Sequence, residues 1–235
     1  MIYLTGDTHG ELDRFYARNW EVGRTLSRSD YVIILGDFGL FWDNSKSEKY
    51  GLEWLSKRSW TTLFIDGNHE NFDLLKKLPR QRMFGDVVGI AAPNVFHLLR
   101  GRIYDIDGTR FFTMGGGTSI DKAIRKEGVS WWPGEVISEE DINTAYMNLA
   151  LVGYKVDYGL SHVPPSFLLS IDAFGVPIAG DHEPTKIRDL VNMVEFKHWY
   201  FGHMHRNITS NKDPRFTCIY RNIIKLGETI EYGGS

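Results

Sequence analysis

The stretch Ile-Asp-Gly-Asn-His-Glu, residues 65–70, places an amide and an imidazole side by side directly after an apolar run. Four other short segments repeat this arrangement, in which an apolar run leads into a turn of small residues and then into side chains that bind metals. They are Leu-Thr-Gly-Asp-Thr-His-Gly at 4–10, Ile-Leu-Gly-Asp-Phe-Gly at 34–39, Tyr-Gly-Leu-Ser-His at 158–162 and Trp-Tyr-Phe-Gly-His-Met-His at 199–205. The recurrence suggests that five loops serve one site.

The first third of the chain has the pattern of two βαβ units. Short β-favouring runs at 2–5, 31–35 and 62–65 predict strands. Between them, apolar residues near helical spacing at 11–26 predict one helix, and residues 50–57 predict the end of a second. Such units imply parallel strands that are buried on both faces. Ligands of these sheets collect beyond the carboxyl ends of the strands. The polar residues expected there are Asp7, His9, Asp37, Asn68 and His69.

The pattern changes after a short helix predicted at 72–78. Four closely spaced runs at 87–90, 95–99, 103–106 and 110–114 predict a β-meander, and hence a second, partly antiparallel sheet packed face to face on the first. Residues 115–135 are rich in Gly and Trp and lack periodicity, as expected of a loop or lid. The remaining predictions are a helix from an N-cap at Ser138 to about 151 with Asp141 as capping partner, a strand at 156–160, a helix at 183–194 opened by Pro184, a strand at 198–201 and final strands within 216–232.

The composition favours one large α/β domain over residues 1–235. Apolar residues make up 42% of the chain, enough for a core without disulfides, and the single Cys218 suits a reducing compartment. Neither a secretory leader nor a transmembrane run is visible, which predicts a cytoplasmic protein with no membrane partner. The formal charge of -3 argues against nucleic acid as a partner and leaves the oligomeric state open.

The polar residues of the five segments are of types that bind transition metals. Asp7 and His9 are two residues apart, as are His203 and His205, so in extended backbone either pair could chelate one ion. Imidazole and carboxylate ligands without thiolates suit Mn, Fe, Zn, Ni or Co better than calcium. Taken singly, each motif has an ordinary explanation as a turn or a satisfied polar group. Five of the eight His residues fall at such positions, however, which favours one common site.

Seven ligands are too many for one tetrahedral ion, and a bridging Asp37 divides them into two sets of four. Two ions held close together lower the pKa of a bridging water and clamp the oxygens of an in-line displacement at phosphorus. The ligand types therefore predict hydrolysis of phosphoesters. The seven predicted ligands are Asp7, His9, Asp37, Asn68, His162, His203 and His205.

The ordered motifs Asp-x-His, Gly-Asp, Gly-Asn-His-Glu, Ser-His and Gly-His-x-His resemble those of the calcineurin-like metallophosphoesterase superfamily. The resemblance implies a four-layer αββα sandwich of two mixed β-sheets flanked by helices, and a site for two divalent transition-metal ions, with Mn preferred over Fe, Zn, Ni or Co. By this resemblance the first ion is held by Asp7, His9, Asp37 and His205, and the second by Asp37, Asn68, His162 and His203.

The resemblance also assigns roles in catalysis. His69 is implied to be a non-ligand that contacts phosphate and helps to stabilise or protonate the leaving oxygen. The expected reaction is hydrolysis of a small phosphomonoester or phosphodiester, nucleotide-like substrates included, by a hydroxide that bridges the two ions. Asp37 and His69 are then the catalytic residues, and Asn68, His69 and Arg125 are the predicted substrate contacts.

Two departures from the superfamily pattern bear on the substrate. Related protein phosphatases extend the second motif to Gly-Asp-x-x-Asp-Arg-Gly and place an Arg before Gly-Asn-His-Glu, whereas here the motif continues with Phe38 and Gly39, and Asp66 precedes Gly67. These differences favour the bacterial or phage-type branch over a serine/threonine-type protein phosphatase, which stays the closest alternative. A nuclease and a catalytically silent binding module are further alternatives. The second motif also lacks the Asp that pairs with the catalytic His in those phosphatases, and Glu70 is a candidate to orient His69 in its place.

The remaining polar and aromatic motifs are weaker candidates. Lys122 and Lys126 accompany Arg125 in a small basic cluster, and Trp131 or Trp132 could stack a base. We interpret residues 115–117 as a glycine bend at the end of a strand, and the Gly-Asp-His-Glu of residues 180–183 as a chance imitation of the first motif. The side chains interpreted as structural are His97, His198 and Cys218.

Overall fold

The computed structural model describes residues 1–169 and 181–231, and its strands form two β-sheets. In chain order the strands are β1 Ile2–Thr5, β2 Tyr31–Leu35, β3 Thr61–Ile65, β4 Arg80–Met83, β5 Asp86–Ala92, β6 Val95–Leu98, β7 Arg102–Ile106, β8 Thr109–Met114, β9 Tyr158–Ser161, β10 His198–Phe201, β11 Ile208–Thr209, β12 Phe216–Cys218 and β13 Ile224–Lys225. The first sheet has the order β13-β1-β2-β3-β6-β5-β4, and the second has the order β11-β12-β10-β9-β8-β7.

Four α-helices accompany these strands in the described part of the chain: α1 Lys46–Ser56, α2 Phe72–Leu75, α3 Glu139–Leu151 and α4 Glu183–Val191. The predicted cap of α3 is confirmed, because Ser138 and Asp141 form a reciprocal capping box. Ser45 caps α1 by accepting from the Glu48 N–H, and the helix end predicted at 50–57 agrees with the C-cap at Lys57. Within the described residues, no helix combines the length and the apolar character needed to cross a bilayer.

The buried apolar residues fall into three layers. The middle layer joins side chains of both sheets, among them Leu4, Ile33 and Tyr200. One outer layer lies between the first sheet and the segments that include α1 and α2, around Phe38 and Leu55. The other outer layer packs α3 and α4 on the second sheet. Helices therefore flank two face-to-face mixed sheets, which confirms the predicted αββα sandwich.

The segment between β1 and β2 corrects the helix predicted for residues 11–26. It forms two short 3-10 helices, Asp13–Phe15 and Glu21–Arg24, instead of one α-helix. Arg14 is buried, and its guanidinium donates to backbone carbonyls at the end of β1, which holds this turn against the sheet. At Gly23, an added Cβ would lie 2.8 Å from the Trp20 ring, so ring packing takes the place of a regular helix.

The meander prediction is also corrected in part. Strands β5 and β6, with the unpredicted β4, complete the first sheet, and only β7 and β8 belong to the second. Strand β6 pairs in parallel with β3, and the chain changes sheet around Gly101, whose φ is +68°. Alternating apolar residues mark a strand but do not encode its partner. In the tail, β12 and β13 lie within the predicted strands, whereas Tyr232 lies outside the described residues.

Candidate metal centre

The carboxyl ends of five strands meet at one edge of the sandwich. Strands β1, β2 and β3 run parallel in the first sheet, and β9 and β10 run parallel in the second. The loop after each strand carries one of the five sequence motifs. The structure thereby brings together all seven predicted ligands, which are Asp7, His9, Asp37, Asn68, His162, His203 and His205.

Four of these residues form a group open to solvent on one side. The ligand atoms that Asp7, His9, Asp37 and His205 offer all lie within 4.8 Å of one another. His205 Nε2 lies 3.1 Å from Asp7 Oδ2 and 3.2 Å from His9 Nε2. Both carboxylates are buried and both imidazoles are exposed. This group could hold a metal ion with a free position toward solvent.

The other ligands form a buried group around Asn68 Oδ1. That oxygen lies 3.0 Å from His162 Nε2 and 3.1 Å from His203 Nδ1, and His162 Nε2 lies 3.4 Å from Asp37 Oδ1. His162 Nδ1 lies 2.8 Å from the Leu35 carbonyl oxygen, which assigns the single proton of a neutral His162 to Nδ1. His162 Nε2 is then an acceptor that faces two other acceptors. Acceptors converging without a donor fit a bound cation.

The pKa shifts of Asp7 and His203 favour the forms that bind a metal, whereas the shift of His205 favours its protonated form. Burial opposes the charge on Asp7, but the hydrogen bond from His205 and the nearby His162 lower the pKa of Asp7 to about 2. Burial and the neighbouring His162 lower the pKa of His203 to about 4, so its ring is neutral at pH 7. The hydrogen bond to Asp7 raises the pKa of His205. Anionic carboxylates and neutral imidazoles are the forms that bind metals.

Several residues in the candidate ligand loops have a left-handed backbone conformation. Among the described residues, nine non-glycine residues have positive φ, and four of them are His9, Asp37, His203 and His205. This left-handed conformation costs roughly 1–2 kcal/mol for an L-residue. Strain of this kind concentrates at functional sites, where the surrounding structure enforces it.

Glycines in three motifs leave room for ligands from neighbouring loops. A Cβ built on Gly36 would lie 2.2 Å from His162 Nδ1, one on Gly67 would lie 2.0 Å from Asp37 Oδ1, and one on Gly202 would lie 2.3 Å from Asp7 Oδ1. The motif glycines are therefore needed because each ligand side chain packs directly on the backbone of another motif.

His69 borders the candidate metal ligands without belonging to them. Its backbone N–H donates to Asp37 Oδ1 over 2.8 Å, and its half-buried ring lies 5.6 Å from the His9 ring between centroids. Burial lowers the pKa of His69. The Trp42 ring lies 6.4 Å from the His69 ring, and the Arg125 guanidinium lies 5.9 Å from the Trp42 ring centre. Arg125 is thus on the His69 side of the centre, with its Nε bound to Asp121.

The two acidic residues of the Gly-Asn-His-Glu region have structural contacts. Glu70 does not orient the His69 ring through any hydrogen bond in the described residues; its Oε1 accepts from the Phe38 N–H over 2.6 Å, which braces the loop after Asp37. Burial, with Asp37 nearby, raises the pKa of Glu70 well above its usual range. A second negative charge buried beside Asp37 is unfavourable, so the fold favours the neutral form of this carboxyl.

Asp66 is buried away from solvent and paired. Its carboxylate accepts from Arg100 Nε over 2.7 Å and lies 3.0 Å from His97 Nε2. Burial opposes its ionisation, but Arg100 and His97 hold the pKa of Asp66 well below its usual range. The residue that stands where protein phosphatases carry an Arg therefore contacts the fold and not the metal ligands.

The weaker candidates of the sequence have structural roles or lie away from the candidate metal centre. Trp132 is buried and packs edge-on against Trp42 at 5.2 Å, so its ring is a packing group and not a platform for a base. Strand β8 ends before the glycine bend, as predicted. Of the motif at 180–183, Gly180 lies outside the described residues, and Asp181 accepts from the Glu183 N–H at the start of α4. Other candidates that lie outside the metal centre are Lys122, Lys126, Trp131, His182, His198 and Cys218.

Several residues at the site escaped the sequence interpretation. Arg14 donates to the Asp7 carbonyl, Trp42 lies beside His69, and Ser119 contacts Asn68. Arg14 and Trp42 fall in apolar stretches that predict only packing. Ser119 lies fifty-one positions from its partner, so no local pattern could have linked them.

The comparison with known families agrees with this geometry. The family described as calcineurin-like phosphoesterase matches residues 1–207, which include all seven predicted ligands. No curated protein matches the chain.

Proposed function

The chain belongs to the calcineurin-like phosphoesterase family, and we propose that it hydrolyses a small phosphomonoester or phosphodiester with the help of two divalent transition-metal ions. Mn is the proposed metal, with Fe, Zn, Ni or Co as alternatives that suit the same ligands. Nucleotide-like molecules are among the proposed substrates.

The observation that carries this proposal is the convergence of three acceptors, His162 Nε2, Asp37 Oδ1 and Asn68 Oδ1. Two imidazole nitrogens lie within 3.1 Å of the Asn68 oxygen, and the proton of His162 points away to Leu35. With the solvent-open group beside it, the donor set fits two ions. When bound, such ions lower the pKa of a water and neutralise charge on a transferring phosphoryl group.

Asp37 connects the two groups. Its Oδ1 lies 3.4 Å from His162 Nε2, and its Oδ2 lies 3.8 Å from His9 Nε2. Its oxygens therefore face ligands of both groups, as a bridging carboxylate requires. The Asp37 Oδ1 also accepts from the His69 N–H, which couples the position of His69 to the centre.

His69 is the proposed proton donor to the leaving oxygen. Its ring lies at the edge of the centre, half-buried and free of metal-ligand contacts that would occupy both nitrogens. A positioned His supplies about 10²–10⁴-fold in such proton transfers. Arg125 and Trp42, on the same side, are the proposed contacts for the group that leaves.

A substrate panel with metal analysis tests the proposal. Purified protein is loaded with Mn²⁺ and assayed on aryl phosphomonoesters, phosphodiesters, cyclic nucleotides and phosphopeptides. We expect two ions per chain and turnover of a mono- or diester. Asp37→Asn should lose at least about 100-fold in metal affinity, the upper end of what loss of an outer partner costs. Asp105→Asn, at an exposed position of β7, is the control.

Two results would count against the proposal. Wild-type turnover by Asp37→Asn at saturating Mn²⁺ would reject the bridging role. Metal binding without hydrolysis of any ester would support the silent binding module, and a preference for phosphopeptides would support the protein phosphatase.

A further inference from the structure

We infer that Ser119 and Glu135 position Asn68 as a metal ligand, so that both ends of segment 115–135 are built into the metal centre. The inference rests on the proposed metal centre, and its test measures metal binding without catalysis. Ser119 and Glu135 are 2% and 0% exposed, so the contacts they make are shielded from water.

The three side chains form one chain of hydrogen bonds. Asn68 Nδ2 donates to Ser119 Oγ over 3.0 Å, and Ser119 Oγ donates to Glu135 Oε2 over 2.6 Å. The backbone N–H of Ser119 donates to Glu135 Oε1 over 2.8 Å. Both oxygens of Glu135 are therefore used to hold one serine in place.

The donors and acceptors allow only one arrangement of the amide when Glu135 is ionised. A carboxylate only accepts, so the single hydroxyl proton of Ser119 goes to Glu135. Ser119 Oγ can then only accept from Asn68, which identifies the atom facing it as the amide nitrogen. Asn68 Oδ1 must face the opposite way, toward His162 and His203.

Ser119 is also the polar partner on which the Glu135 carboxyl depends. Within residues 1–169 and 181–231, no Lys or Arg side chain forms an ion pair with this carboxylate. A buried carboxylate without a cation is costly. The N–H and hydroxyl of Ser119 supply the donors that this buried carboxyl requires, so the two residues are held together.

The surrounding contacts fix both ends of the segment. The Gly116 N–H donates to the Asp66 carbonyl, and the Gly117 N–H donates to the Glu135 carbonyl. Arg100 donates to the carbonyls of Gly134 and Glu135. These bonds join the segment to the end of β3, from which Asn68 extends.

The test compares Ser119→Ala with Thr118→Val by calorimetric titration of the metal-free protein with Mn²⁺. Ser119→Ala removes the acceptor for Asn68, and we expect the affinity of one of two ions to fall about 10–100-fold while the other is retained. Thr118 lies next to Ser119 but donates to Glu183, so Thr118→Val should keep wild-type affinity for both ions. Ser119→Thr restores a hydroxyl and should recover most of the affinity.

Glu135→Gln supplies an independent measurement in case Ser119→Ala does not fold. The amide NH₂ of Gln presents a donor to Ser119, so this variant should bind the same ion more weakly. Wild-type affinities in Ser119→Ala or in Glu135→Gln would overturn the inference. A loss of affinity for both ions in Thr118→Val as well as in Ser119→Ala would also overturn the inference. It would show that any change in this segment disturbs metal binding. Failure of the wild-type protein to bind Mn²⁺ is the different result that would reject the proposed function itself.

Discussion

Replacing Gly67 by Ala should disrupt the metal centre at the residue that joins its two halves. The added Cβ would lie 2.0 Å from Asp37 Oδ1 and 2.3 Å from the Asp37 backbone nitrogen. Cβ atoms essentially never make contacts under 3.0 Å, so Asp37 or the loop after β3 must move by about 1 Å. Because backbone is one of the two contacts, rotation of the Asp37 side chain alone cannot relieve the clash.

A shift of this size has separable effects on binding and on stability. A displacement of about 1 Å at a reacting group can cost about 10²-fold in rate, and we expect Mn²⁺ affinity to fall by at least as much because Asp37 faces both groups. Overpacking itself should destabilise the fold by about 1–3 kcal/mol. The protein should therefore still fold while binding metal poorly.

Calorimetric titration with Mn²⁺ and urea unfolding of the metal-free protein measure the two effects. Gly108→Ala is the matched control: Gly108 has φ +72° and no atom within 4 Å of an added Cβ, so this variant adds backbone strain without a clash. It should lose stability and keep its affinity for metal. Wild-type Mn²⁺ affinity and stoichiometry in Gly67→Ala would refute the steric reasoning.

Three further predictions follow from the contacts described above. His69→Ala should lower kcat by about 10²–10⁴-fold at unchanged metal content, measured by steady-state kinetics with metal analysis; loss of a bound ion would contradict its place outside the ligand set. Arg100→Met leaves Asp66 buried with only His97 as a partner and should lower the free energy of unfolding by about 3–5 kcal/mol, and a loss under about 1 kcal/mol in urea would argue against the pair. Burial lowers the pKa of His198 to about 4, below the unfolded value of about 6.5, so protons bind the unfolded state preferentially and the free energy of unfolding should fall as the pH decreases from 6.5 toward 4. In parallel urea titrations, the free energy of unfolding of His198→Gln should fall less over that pH range. Equal pH dependence in the two proteins would exclude a contribution from His198.

The sequence predicted most strands, and it predicted which polar residues the fold brings together, because both depend on short patterns. An apolar run that ends at a glycine marks a strand of a parallel sheet, and the residue after that glycine lies at the sheet's carboxyl edge. Asp37, Asn68 and His203 each follow such a glycine. The physical reason is the same in each case, since a neighbouring ligand occupies the space of the missing Cβ.

The incorrect predictions concern contacts between distant segments. The apolar spacing over 11–26 matches a helix, but the buried Arg14 bonds to carbonyls of β1 and to Tyr220, far along the chain. Glu70 follows His69 in sequence, yet its carboxyl accepts from the Phe38 N–H, which belongs to the loop after β2. Such pairings depend on the completed fold, so local periodicity does not contain them.

The left-handed backbone at four of the proposed metal ligands restricts how this centre can be redesigned. At His9, Asp37, His203 and His205 the side chain must suit both a metal and a positive φ, which Asn, Asp and His tolerate and β-branched residues do not. Exchanging one of these for Cys, to select a softer metal, would add backbone strain to any gain in ligand preference. Among the proposed ligands, Asp7, Asn68 and His162 have ordinary φ values. Efforts to retune the metal preference of the protein should therefore start at those three positions.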